Sequence, residues 1–281
     1  MEIILGKTAG FCYGVERAVN GAKEEINENE DIYCLGEIVH NQTVVDDLKK
    51  IGLNFIDSIE KAKGKTIIRA HGVSKEVYEK AEEMKIKLKD LTCPSVLKIH
   101  KIADEYSKKG YFIIVTGKEN HPEVIGIASY CGNKYKIIGS KEEALGLLQA
   151  LEKENKILLI SQTTYSSKKF DEIEEVLKNN LRDKLEVKKT ICPSTEIRQK
   201  ETEDIAKQVD LMIIIGDRKS SNTNKLYDIS CNFCKNVVFI QNAEELDISI
   251  LKNDIKVGIM AGASTPKSEI SKIERIIQDI K

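Results

Sequence analysis

The chain has 281 residues, with 44 Lys and Arg against 45 Asp and Glu and 41% apolar side chains. A net charge of 44 − 45 = −1 gives no electrostatic reason to expect nucleic acid or a membrane surface as partner. No apolar run reaches the ~20 residues of a membrane span. The opening "MEIILGKTAG" lacks the basic n-region and long apolar stretch of a signal peptide, so a cytoplasmic setting is expected. Seven cysteines are too few, and an odd number, for a disulfide scaffold. In a reducing compartment they are buried small side chains, ligands or nucleophiles.

In chain order, the β-type stretch "EIILGKTAGF" leads to Cys12, followed by a helical pattern with Val15, Ala18, Val19, Ala22 and Ile26 on one face. A strand, "IYCLG", ends at Gly36, and the loop "GEIVHNQ" carries His40 and Asn41. "FIDSIE" reads as a strand running into a helix start capped by Ser58. The strand "TIIRAHG" ends at His71, and "SKEVYEKAEEM" is an amphipathic helix.

The same order then recurs. "IKLKDLT" precedes Cys93, with Val96, Ile99, Ile102, Ala103 and Tyr106 as its helical face. "FIIVTG" ends at Gly117, "GKENHPE" carries His121 and Glu123, "IIGSKE" offers Ser140 as a cap, and "KILLISQTT" ends at Thr163 and Thr164. The third copy starts with "LEVKKTI" before Cys192. Its helical face is weaker: Ile197, Ile205, Ala206 and Val209. "LMIIIG" ends at Gly216, "GDRKSSN" carries Ser220, Ser221 and Asn222, "FIQNAE" offers Asn242, and "KVGIMAGAS" ends at Ser264 before "PKSEISKIERII". The spacing is constant: 36 − 12 = 117 − 93 = 216 − 192 = 24. Such self-similarity marks repeated structural units.

Alternating strands and helices predict parallel sheets, with ligand-facing groups in the loops after the strands' carboxyl ends. The expected fold is α/β: three pseudo-symmetric modules, 1–92, 93–191 and 192–281, arranged as a trefoil around a central cavity. In that arrangement Cys12, Cys93 and Cys192 converge. Spacings of 81 and 99 residues (93 − 12 and 192 − 93) exclude compact ferredoxin runs and paired CxxC zinc ribbons. Three thiolates suit zinc with a fourth ligand, or a four-iron cluster with one iron open. One thiol per module favours the cluster.

The loop imidazoles, hydroxyls and amides are suited to phosphoryl oxygens. Ser264 stands just ahead of a helix whose first-turn N–H groups can bind an anion. Arg69 and Arg218 keep a carboxylate substrate open. No GxxxxGK[ST] occurs, so phosphates are bound by convergence of loops. His100, on a helix, reads as structural, as do Cys34 and Cys131. Cys231 and Cys234 form one CxxC without a second pair.

The motifs "GFCYGVERAV", "GEIVHNQ", "RAHGV", "TCPSVLKIH", "HPEV", "SQTT", "CPSTEIRQ", "SSNTNKL" and "AGAST" run in order along essentially the whole chain. Together they resemble the IspH/LytB family of 4-hydroxy-3-methylbut-2-enyl diphosphate reductases. The resemblance implies a reductive dehydroxylation ending the methylerythritol phosphate route to isoprenoids, and a trefoil of three α/β domains. It implies that Cys12, Cys93 and Cys192 hold a 4Fe-4S cluster with one open iron for the substrate hydroxyl. His40, His71, His121, Ser220, Ser221, Asn222 and Ser264 would hold the diphosphate. Thr163 would lie near the hydroxyl with Glu123, the family's proton donor, whose pKa burial should raise. Electrons would come from outside, from ferredoxin or flavodoxin by family analogy. The rivals are a quinolinate-synthase-like enzyme, which needs carboxylate anchors, a non-catalytic iron–sulfur sensor, and a zinc hydrolase.

Overall fold

A computed structural model describes residues 1–28, 31–251 and 254–280. Its strands are β1 (Glu2–Leu5), β2 (Ile32–Leu35), β3 (Asn54–Ile56), β4 (Lys65–Ile68), β5 (Leu88–Asp90), β6 (Phe112–Thr116), β7 (Tyr135–Ile138), β8 (Ile157–Ser161), β9 (Leu185–Val187), β10 (Leu211–Ile215), β11 (Val237–Ile240) and β12 (Lys256–Ala261). They form three four-stranded sheets, ordered β3-β2-β4-β5, β7-β6-β8-β9 and β11-β10-β12-β1, and every pairing is parallel. The three sheets therefore share one strand arrangement, in which the chain steps outward and returns past its first strand; a fourth strand lies beyond, the next in sequence in two sheets and β1 in the third.

Sheet membership departs from the sequential boundaries in one strand. β1, which the boundaries place in module 1–92, pairs with β12, Ile3 opposite Val257 and Leu5 opposite Ile259. It supplies the fourth strand that residues 192–281 lack. The physical reason is the edge of β12, whose unpaired N–H and C=O groups need a partner.

The helices are α1 (Tyr13–Glu28), α2 (Gln42–Lys50), α3 (Lys75–Glu83), α4 (Pro94–Lys108), α5 (Pro122–Ser129), α6 (Lys141–Leu151), α7 (Ser167–Leu181), α8 (Pro193–Ala206), α9 (Ser221–Phe233) and α10 (Lys267–Asp279). A parallel sheet is covered on both faces, so its central strands read as continuous apolar runs. In β10 and β12, Ile213, Ile215, Ile259 and Ala261 join the cluster on one face, and Met212, Ile214 and Met260 the cluster on the other. β6 and β8 divide likewise, Ile114 and Leu159 facing one way, Ile113, Val115 and Ile160 the other.

Two sequence expectations change. Ser58 makes no cap hydrogen bond, because its hydroxyl bonds the Glu60 carboxylate instead, and only a single 3-10 turn, Ile59–Lys61, follows. Ser140 and Asn242 do cap, accepting from Glu143, and from Glu244 and Glu245, respectively. In α8, Ile197 is 59% exposed rather than on the packed face. The buried positions of its first turns are instead polar: Thr195, Arg198, Gln199 and Thr202.

The chain divides into two compact units. One contains Met1–Glu16, Val39–Lys50 and Pro193–Lys281 with the sheet β11-β10-β12-β1. The other contains Arg17–Ile38 and Ile51–Cys192 with the other two sheets.

Candidate functional site

In each sheet the strand order reverses between the first and third strands of the module: β2 and β4, β6 and β8, β10 and β12. Loops leaving the carboxyl ends at such a switch point are the usual ligand-binding place of doubly wound sheets. The candidate residues lie there: His40 and His71, His121 and Thr163, Ser220 and Ser264. The fourth strand of each module leads to a cysteine: β5 to Cys93, β9 to Cys192, and β1 to Cys12.

Backbone hydrogen bonds repeat the threefold pattern. The Cys93 N–H donates to the Ala70 carbonyl (3.0 Å), that of Cys192 to Thr163 (3.0 Å), and that of Cys12 to Ala263 (3.1 Å). By this register His71, Thr164 and Ser264 are equivalent, and Thr163 is set one residue earlier. Each cysteine immediately precedes a helix, α1, α4 or α8. Pro94 and Pro193 open their helices without sacrificing a hydrogen-bond donor.

Cys12, Cys93 and Cys192 are half-buried free thiols, whereas Cys34, Cys131 and Cys234 are buried. Burial pushes Cys34 and Cys131 up to about 12, leaving them protonated and inert. The Cys234 Sγ donates to the carbonyl of Asn236 (3.2 Å). By donor chemistry, three accessible thiols at helix N-termini fit an iron–sulfur cofactor.

In the unit that contains residues 51–192, Glu123 occupies the first turn of α5 and is 2% exposed. Its carboxyl accepts the Thr163 N–H (2.6 Å) and the Thr163 hydroxyl (2.8 Å). Burial lifts its pKa from 4.5 to about 7, against the pull of both hydrogen bonds. His121 caps α5, and its Nδ1 accepts the Glu123 N–H at 3.1 Å. With Nδ1 accepting, a neutral ring carries its proton on Nε2. His71 meets His121 edge to face, with centroids 5.6 Å apart. Thr163 thus touches Glu123 through side chain and amide, and Cys192 through its carbonyl.

In the unit that contains residues 193–281, Ser220 caps α9, accepting the Thr223 N–H at 3.3 Å. Gly216, at φ +150°, makes the approach: a Cβ there would lie 2.7 Å from the Thr223 Oγ1 and 2.9 Å from that of Thr265. Asn222 is 4% exposed, and neither its amide nitrogen nor its oxygen has a partner. A buried amide left unpaired costs about 1–3 kcal/mol and is explained by a ligand that pairs it. The Ser264 hydroxyl donates to the His40 carbonyl (2.8 Å). Asp217, missed by the sequence reading, accepts the N–H of Gln42 (3.1 Å) and of Lys219 (2.7 Å), tying the His40 loop to the Ser220 loop. Its only sequence signal was its place beside the repeated glycine. Arg218, one candidate carboxylate anchor, is committed to Glu245 (3.1 Å).

Fold and side chains define a class: a three-module α/β enzyme with a half-buried thiol at the start of α1, α4 and α8 and a carboxylic acid tuned to neutrality. The comparisons name it further. The model of the LytB protein family matches residues 3–278. The chain is 42% identical over 287 residues to the 4-hydroxy-3-methylbut-2-enyl diphosphate reductase of Caldanaerobacter subterraneus subsp. tengcongensis, covering 100% of this chain and 98% of that protein. It is 39% identical to the Clostridioides difficile protein of the same name, covering all of both chains. The solved reductase from Plasmodium falciparum superposes with a TM-score of 0.92 at 32% identity, over 98% of this chain and 87% of that one. A second solved structure, described as the terminal enzyme of the non-mevalonate pathway, gives 0.71 at 36% identity, over 99% and 100%. The chain belongs to the LytB family, whose members use an iron–sulfur cluster. No helix among the described residues is long and apolar enough to cross a membrane.

Proposed function

We propose that the chain reduces 4-hydroxy-3-methylbut-2-enyl diphosphate to isopentenyl and dimethylallyl diphosphate, the last step of the methylerythritol phosphate pathway. Two electrons and two protons enter; the C–O bond breaks, a C–H bond forms and the oxygen departs as water. The observation that carries the reading is the buried Glu123 carboxyl, titrating at about 7 and held by Thr163, whose carbonyl fixes the Cys192 amide.

Cys12, Cys93 and Cys192 would hold a 4Fe-4S cluster with one iron open. When bound, such a cluster supplies electrons singly and a Lewis-acidic iron. The chain's own groups do the rest. Glu123 keeps a proton near neutral pH. The Thr163 hydroxyl, which donates to Glu123 at rest, reverses by rotation, taking that proton and giving its own to the leaving oxygen. His121 offers Nε2–H to a phosphoryl oxygen, and His40 and His71 complete the imidazole set. Ser220, Ser221 and the unpaired amide of Asn222 supply neutral donors, and Ser264 joins them by turning from the His40 carbonyl. Electrons come from ferredoxin or flavodoxin in the cytoplasm.

The test is anaerobic reconstitution followed by iron and sulfide analysis, EPR with and without the hydroxy-diphosphate, and product detection. Absence of bound iron, or an iron-loaded folded protein that leaves the substrate unreduced, would overturn the proposal.

A further inference from the structure

α8 buries a run of polar side chains, whereas α1 and α4 bury mainly apolar ones with Glu25 and His100 among them. In α1 the half-buried Arg17 makes a related contact, donating to the carbonyls of Leu91 (3.3 Å) and Thr92 (3.0 Å) just ahead of Cys93. Arg198 is 3% exposed, and its Nη1 donates to the carbonyls of Gly10 (2.9 Å) and Ala261 (2.7 Å). One turn on, Glu201 accepts the N–H of Lys7 (2.7 Å) and of Thr8 (2.9 Å), and the Thr8 hydroxyl. Apart from the Ala261 carbonyl at the end of β12, these contacts fall on one segment, residues 6–11, which connects β1 to Cys12.

That connection is the longest of its kind. It has 12 − 5 − 1 = 6 residues, against 93 − 90 − 1 = 2 before Cys93 and 192 − 187 − 1 = 4 before Cys192. It contains two glycines, Gly10 at φ +101°, so its free conformational entropy is the largest of the three. Backbone pairing to the strands fixes its ends, through Gly6 N–H to Ile259 (2.9 Å) and Cys12 N–H to Ala263 (3.1 Å), and a single turn bond, Ala9 N–H to Gly6 (3.1 Å), lies inside it. The side chains of α8 fix the middle. The same guanidinium holds Ala261, two residues before the carbonyl that receives the Cys12 amide.

From this geometry we infer that Arg198 and Glu201 are positioning residues, which fix the Cys12 thiol in its ligand geometry before any metal arrives. The inference rests on reading Cys12 as a ligand. The closing experiment separates the two.

The metal-free protein, with thiols reduced, is examined by hydrogen exchange and by alkylation of each cysteine followed by mass spectrometry. Glu201→Ala should speed exchange across residues 7–10 by about ten- to hundredfold. It should shift the Cys12 alkylation rate while Cys93 and Cys192 keep theirs. Glu201→Gln and Arg198→Lys, which preserve some of the bonds, should fall between and serve if the alanine variant does not fold. Unchanged exchange and alkylation in a folded variant would overturn the inference, as would an equal change at all three thiols. Iron retention by Cys12→Ala after reconstitution tests the ligand reading separately. If iron is lost there while the Glu201 and Arg198 variants behave as wild type, the ligand reading stands and the positioning inference fails.

Discussion

Replacing Glu123 by Gln removes one ionisable proton from a carboxyl that accepts two hydrogen bonds from a single residue. The amide can keep both contacts: its oxygen accepts the Thr163 N–H, now 2.6 Å from the carboxylate, and its NH2 donates to the hydroxyl oxygen, 2.8 Å away. The variant therefore folds and binds substrate, with KM close to wild type. It cannot deliver a proton, and loss of a positioned general acid costs about 10²–10⁴ in kcat. The wild-type acid is half ionised at about pH 7. Its protonated fraction is then roughly nine-tenths at pH 6 and a tenth at pH 8, so kcat should fall about tenfold per unit above 7. Anaerobic single-turnover and steady-state rates from pH 5.5 to 9, with a chemical one-electron reductant, read both quantities. The residual rate of Glu123→Gln should show no such limb. Wild-type turnover in the variant, or the same limb near 7 in its residual rate, would refute the role of Glu123.

Thr163→Ala removes a hydroxyl that pulls the Glu123 pKa down, so the alkaline limb of the residual activity should move to higher pH, while Thr163→Ser restores it. Asn222→Leu replaces an unpaired buried amide by an apolar side chain of similar size; denaturant titration should show unchanged or greater stability, and substrate binding should weaken, read as a raised KM. His100 is 4% exposed, both ring nitrogens are unpartnered, and burial lowers its pKa to about 4, against the raising influence of Asp90. Between about pH 6.5 and 4 the unfolded chain binds this proton and the folded chain does not, so stability falls as pH drops, by on the order of 3 kcal/mol. Glu123, raised rather than lowered, has the opposite slope below pH 7. The metal-free Glu123→Gln protein should therefore lose stability on acidification, and adding His100→Phe should flatten the curve.

Much of this fold was legible in the sequence because strand and helix periodicity recur at a fixed 24-residue interval between cysteine and glycine. The central strands are continuous apolar runs, and burial of both faces makes such runs conspicuous. The pairing of Glu2–Leu5 with Lys256–Ala261 was not legible, since an edge strand of four residues leaves no pattern that names a partner so far along the chain. The polar inner face of α8 was hidden for a different reason. Arg198 and Glu201 look like solvated charges in a helix, yet Arg198 is buried against the carbonyls of residues 10 and 261 and Glu201 accepts the amides of residues 7 and 8. The candidate residues were found from motif and repeat. Their hydrogen bonds, such as the double grip of Thr163 on Glu123 and the tautomer of His121, depend on side-chain directions that spacing does not encode.

The pairing of β1 with β12 also sets a timetable. At about 5–20 residues per second, the 256 − 5 − 1 = 250 residues between them take roughly 12 to 50 s to synthesise. Throughout that interval β1 lacks the strand it pairs with, and the Cys12 amide lacks the Ala263 carbonyl that receives it. Biogenesis thus leaves the first cysteine's anchor until late, and faster translation of the codons leading up to β12 should bring it forward.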